Sequence, residues 1–200
     1  MFLTRGGDPD RGDTAAVAGS RSAEGSSDDP RGGPPFGVVV WNNAAGQTCA
    51  ALGRRVGERV TDPSGTRDYP IEEGGGCVDL ASMSGDVDVR QSGEPRLGDS
   101  SAPNPVTVVW GLAKPGISQV QVRTEGSVRT AKVTARGAFV LTLPGAMTSA
   151  FEIAAMTGRE LRSTTPFPAV SAEIRDRILH PRTGAEVRRE IEQQLRRSSR

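Results

Sequence analysis

Between residues 105 and 162 apolar side chains recur at every second position, and that spacing constrains the fold more than any other feature of the chain. In "SQVQVRT" Val120 and Val122 point one way while Gln119, Gln121 and Arg123 point the other. "AFVLTLP" places Phe139, Leu141 and Leu143 on one face, and "AFEIAAMT" does the same with Phe151, Ile153 and Ala155. A period of two is the period of a pleated strand, whose successive side chains face opposite sides of the sheet. "VTVVWGLA" is apolar throughout and reads as a strand buried on both faces. Glu125–Gly126 and Arg136–Gly137 supply turns, and "GRELRS" closes a last hairpin. Helical patterns between the strands would indicate an α/β fold, and none is present. The predicted class is all-β, an antiparallel β-sandwich.

Upstream, "PPFGVVVWNNAAGQTCAAL" extends the same architecture. Phe36, Val38 and Val40 alternate with Gly37, Val39 and Trp41, so both faces are to be covered. Asn42 to Gly46 has turn chemistry, and Gln47 to Leu52 returns as the second strand of a hairpin. With 35% apolar and 4% aromatic residues the core is modest and built on valine, leucine and alanine. Residues 62–103 read as loop, with short extended pieces at Cys77 to Leu80 and Val87 to Arg90.

The predicted sandwich spans residues 36–163. Residues 1–35 are rich in Gly, Asp, Ser, Arg and Pro without periodicity, and are expected to be a disordered leader. The "RGD" at 11–13 resembles an integrin-binding tripeptide, but such a triplet arises by chance in so biased a tail. Residues 164–183 read as a Pro-rich linker. Residues 184–197 read as a short C-terminal helix, capped by Thr183 and Glu186. Val187, Ile191 and Leu195 repeat every four residues and form a narrow apolar stripe for a partner chain or the sandwich itself.

The run of strands and turns ending in Gly137, Phe139, Leu141, Leu143 and Pro144 resembles small immunoglobulin-like and carboxypeptidase-regulatory-like modules of exported bacterial proteins. Residues 36–162 as a whole are similar to exported actinobacterial proteins with the same two-cysteine arrangement. The abundance of Ala, Gly and Arg, with only two lysines, fits a GC-rich genome. The resemblance implies a β-sandwich and export; it implies no activity.

Cys49 and Cys77 are 28 positions apart, so neither CxxC redox chemistry nor a four-ligand zinc site is open to them. Glu72, Glu73 and Asp79 surround Cys77 and oppose thiolate formation. Gly74 to Gly76 allow the backbone to bring Cys77 against the strand carrying Cys49. A disulfide is the expectation; two inert buried thiols and a nucleophilic cysteine are the alternatives. If bridged, the domain belongs in an oxidising compartment and is extracytoplasmic, given an export segment upstream of Met1; without one it is cytoplasmic.

Catalytic chemistry has little material. The single histidine, His180, falls in the linker, and no catalytic residue is assigned. Asp86 and Asp88 share a strand face within an acidic stretch and are a weak metal candidate, although no metal or other cofactor is called for. Trp41 and Trp110 sit in valine-rich strands and read as core rather than as sugar platforms. A net charge of +1 lacks the basic excess of nucleic-acid binders, and no apolar run is long enough to span a membrane. The expected function is a non-catalytic exported or membrane-associated module with a structural or interaction role, its partner an unknown protein or envelope component. The alternative is a cytosolic regulatory protein that binds its partner through the C-terminal helix.

Overall fold

A computed structural model of the chain describes residues 15–61, 76–94, 106–145 and 149–169. Twelve strands and no helix lie among them, and every strand pairing is antiparallel. The N-terminal sheet runs in the order β1 (Ser22–Ser27), β2 (Phe36–Asn42), β3 (Thr48–Val56) and β4 (Arg59–Thr61). The short β5 (Gly76–Val78) pairs with the first half of β3. The central sheet is β10 (Ala138–Pro144), β7 (Val106–Ala113) and β6 (Val87–Glu94). The C-terminal sheet is β12 (Glu160–Phe167), β11 (Phe151–Thr157), β8 (Gln119–Thr124) and β9 (Ser127–Lys132).

β7 organises the stack. All eight of its residues are buried, because the central sheet is covered on both faces. Val106, Val108, Trp110 and Leu112 pack with Phe36, Val38 and Val40 of the N-terminal sheet. On the opposite face Val109 and Ala113 join Phe139, Val120, Val122, Phe151 and Ile153 of the C-terminal half. The result is three antiparallel sheets, the central one packed between the other two. Each fully buried Val, Leu, Ile or Phe side chain contributes about 1.5–3 kcal/mol relative to exposure, so two shared interfaces let a valine-rich core suffice. The alternation in β8 and the two-faced burial of β2 and β7 follow the sequence reading. β10 and β11 keep Phe139 and Leu143, and Phe151, Ile153 and Ala155, in one core cluster as expected, but both also bury the opposite face: Ala138 and Val140 pack toward the N-terminal sheet, and Ala154 and Met156 are buried too.

Two expected boundaries move. Residues 22–27, placed in the disordered leader, form β1, which pairs with β2 from Ser22↔Val40 to Ser27↔Phe36. Ala16 also bridges Asn43. The reason lies in β2: with both faces buried, its free edge needs a strand alongside, and a polar backbone can supply that whatever its side chains. Ser27 Oγ then accepts the Thr142 backbone N–H at 3.0 Å, joining β1 to β10 at the corner between two sheets. At the other end β12 continues to Phe167, four residues into the expected linker, where Phe167 stacks on Phe151 with centroids 4.7 Å apart. The predicted helix at 184–197, with Val187, Ile191 and Leu195, lies outside the described residues. So do His180 and the RGD triplet.

Candidate functional site

Cys49 and Cys77 face each other across β3 and β5 in direct register, with their sulfurs 2.03 Å apart. Trp41 of β2 sits opposite Cys49 on the other side, so a row Trp41–Cys49–Cys77 crosses three strands on the outer face of the N-terminal sheet. Val39, Ala51 and Val60 pack around it, and Trp41 and Cys49 are wholly buried. Gly76, directly before Cys77, has a structural use. It lies against the Arg90 guanidinium, which also donates to the Ala50 carbonyl at 3.2 Å and stands 5.1 Å from the centre of the Trp110 ring. The bridge and Arg90 together fasten the edge of the N-terminal sheet to the central one.

Asp88 does not present a free carboxylate. Its Oδ2 accepts from Arg90 Nη2 at 2.8 Å and from Nε at 3.1 Å. The guanidinium already fills the role a cation would have taken, and no group of three metal-ligating side chains occurs among the described residues. Asp88 of the Asp86–Asp88 pair is thus paired with Arg90 rather than open to a cation. The i,i+2 spacing of the two acids was legible, but so was Arg90 two residues further along the same face. Asp79 is likewise engaged in its own turn: the Ser82 hydroxyl and the Ala81 N–H hold its carboxyl below the usual range.

Among the described residues the most buried carboxylate is Asp29, in the loop between β1 and β2. It accepts from Arg31 Nη2 at 2.9 Å and Nε at 3.0 Å, from the Arg31 backbone N–H at 2.9 Å, and from Arg54 Nη1 at 2.8 Å. Arg31 beside it, chiefly through its side chain, holds the carboxyl well below the ordinary carboxylate range; burial opposes this, and Arg54 adds to it. Arg54 in turn lies 3.7 Å over the Phe36 ring. These charges secure a loop. Each is matched by an opposite charge or a carbonyl at hydrogen-bond distance, as buried charges must be.

A cleft of about 450 Å³ opens at one end of the stack, where all three sheets converge. Its walls are the end of the β2–β3 hairpin (Asn42, Thr48), Leu80 after β5, the β7–β8 turn and the β9–β10 turn. The β7–β8 turn is Lys114-Pro115-Gly116-Ile117, closed by the Ile117 N–H on the Lys114 carbonyl at 3.2 Å, with Gly116 at φ +94°. Proline followed by a glycine of positive φ is the signature of a type II turn. In the β9–β10 turn the Gly137 N–H donates to Thr134 at 2.9 Å, and the Gly137 carbonyl accepts from the Ala113 N–H at 2.8 Å. Gly137 has φ +82°, and a Cβ there would press on the Ala113 carbonyl, so the two turns are held in contact. Arg136 donates through Nη1 to the Ser20 carbonyl, to Ser22 Oγ at 2.9 Å and to the Val40 carbonyl at 3.2 Å. Its Nη2 donates to Asn42 Oδ1 at 3.0 Å. The sequence reading passed over this cleft; "KPG" after an apolar strand was the available signal.

The described residues thus define an all-β, antiparallel protein with a cysteine pair at disulfide distance inside one sheet. In comparisons with known proteins, no family model, no curated protein and no solved structure matches the chain. No helix among the described residues is long and apolar enough to cross a membrane, which leaves strands out of account.

Proposed function

We propose that the chain is a non-catalytic, disulfide-clamped β-sandwich module of the extracytoplasmic space, with a structural or interaction role at the cell envelope. The observation that carries the reading is the register of Cys49 against Cys77, with the sulfurs at bonding distance on neighbouring strands. A bridge of this kind persists where the surroundings are oxidising and is rare where glutathione and thioredoxin keep thiols reduced. The role of the buried ionic groups supports the non-catalytic part: Asp29 and Asp88 are each engaged with arginines that hold strands and loops together. Kinship with immunoglobulin-like or carboxypeptidase-regulatory-like modules belongs to the same proposal and rests on Gly137, Phe139, Leu141, Leu143 and Pro144.

The test is intact mass of protein isolated from its native host without reductant. The expected mass is about 2 Da below the dithiol value, the two hydrogens lost when the bond forms, and reduction restores them. Alkylation of both cysteines in that untreated sample would overturn the extracytoplasmic assignment.

A further inference from the structure

We propose that the cleft at the convergence of the three sheets binds a monoanionic ligand, a carboxylate joined to an apolar body, with Lys114 as its counter-ion. The proposal does not depend on where the protein resides.

Three observations carry it. The first is charge: among the described residues the cleft wall contains Lys114 and Arg136 and no acidic residue, in a chain with 24 acids against 25 basic residues. The second is the unequal state of those two cations. The Arg136 guanidinium is committed to four acceptors that tie the cleft wall to residues 20–22 and 40–42, so it adds field rather than a free hand. The half-buried Lys114 fixes its backbone through its N–H to the Asp86 carbonyl at 2.9 Å, while its amine engages no described side chain or carbonyl. Lys114 is also one of only two lysines, against 23 arginines. The third is lining: Leu80, Ile117 and Val133 give the cleft apolar lining besides the charged residues, and Thr48 adds a hydroxyl. One ammonium suits one carboxylate; a phosphate dianion calls for a larger set of converging donors. A volume near 450 Å³ lies within the range of small-ligand sites, which combine apolar walls with a few placed polar groups. Both turns are braced by backbone hydrogen bonds, so the site is preformed and little ordering cost opposes binding.

The chemistry has two sources, the free C-terminus of a peptide and a short acyl carboxylate, and the probes separate them. Full-length, ¹⁵N-labelled protein is titrated with an acetylated tripeptide ending in valine, the same peptide as its amide, hexanoate, and inorganic phosphate. Saturable amide shifts centred on residues 113–117 and 133–137, with the tripeptide acid or with hexanoate, support the proposal; whichever acid binds names the source. In Lys114→Met, whose undisturbed spectrum elsewhere certifies its fold, affinity falls about tenfold, the scale of a close charge pair. In the wild type, raising salt from about 0.05 M to 0.5 M weakens binding as the Debye length shrinks. Equal binding of the amide, binding of phosphate alone, full affinity in Lys114→Met, or no shift with either carboxylate overturns it.

Discussion

Arg90 of β6 fills the space beside Gly76 of β5, where an added Cβ would lie 2.6 Å from the guanidinium carbon. The arginine cannot simply swing away, because Asp88, the Ala50 carbonyl and the Trp110 ring hold it. Gly76→Ala is expected to destabilise by about 1–3 kcal/mol, the usual cost of overpacking a fixed site. In an Arg90→Ala background the same change should cost far less. Urea unfolding of the four proteins in this double-mutant cycle measures the coupling, and simple additivity would show that the contact carries no energy.

The Cys49–Cys77 bridge closes a loop of 28 positions, and closing such a loop in the unfolded chain is worth about 3–4 kcal/mol on the chain-entropy argument. Cys77→Ser should lower unfolding stability by that amount. Reduction of the wild type should do the same, and reduced wild type and Cys77→Ser should unfold at the same urea concentration. A mutant as stable as the oxidised protein would leave the clamp without a stabilising role.

Asp29 makes stability pH-dependent, and the direction follows from its depressed pKa. In the unfolded chain its carboxyl titrates near 3.8; in the fold Arg31 and Arg54 hold it lower. Its contribution is therefore fully present above pH 3.8 and lost as the pH falls toward the folded value. Asp29→Asn should cost about 1.5–3 kcal/mol at neutral pH, the range for hydrogen bonds to a charged group. Its stability should also fall less steeply than that of the wild type on acidification below pH 4, as read from thermal unfolding at a series of pH values. Parallel pH profiles would place the acid sensitivity elsewhere.

The strands that bury one or both faces were legible because burial imposes a period on the side chains. Phe139, Leu141 and Leu143 show it directly, and so does the unbroken apolar run of β7. What the sequence hid were elements defined by backbone or by a partner far along the chain. β1 reads "SAEGSS", with no alternation, since what it gives β2 is a ladder of N–H and C=O groups rather than an apolar face. Asp88 looked like an available ligand because an acidic pattern is easier to see than the arginine that neutralises it. The third sheet was hidden for a different reason: β7 shows that both its faces are covered but not by what. The cleft depends on three segments meeting, Asn42 to Thr48, Lys114 to Ile117 and Val133 to Gly137, and no local pattern reports a meeting. The Cys49–Cys77 register was partly legible, because the glycines preceding Cys77 announced a close backbone approach.

The inclusion of β1 in the fold gives the remaining prediction. Removing residues 1–35 deletes the strand beside β2 and the hydrogen bonds from Arg136 to Ser20 and Ser22. It also removes Asp29, the carboxylate that Arg54 faces at 2.8 Å. β2, whose residues Phe36 to Trp41 are all buried, then becomes a bare apolar sheet edge, the kind that pairs with other chains. The truncated protein is expected to aggregate or to unfold at a lower temperature than the full chain. Arg136→Ala offers a milder version. It should speed tryptic cleavage after Arg21 and raise amide exchange through residues 22–27 while leaving β11 and β12 protected, because loosening one edge strand exposes local backbone before it unfolds the core. Full solubility and an unaltered melting temperature for the chain beginning at Phe36 would mean that β1 is an accessory to the N-terminal sheet and not one of its strands.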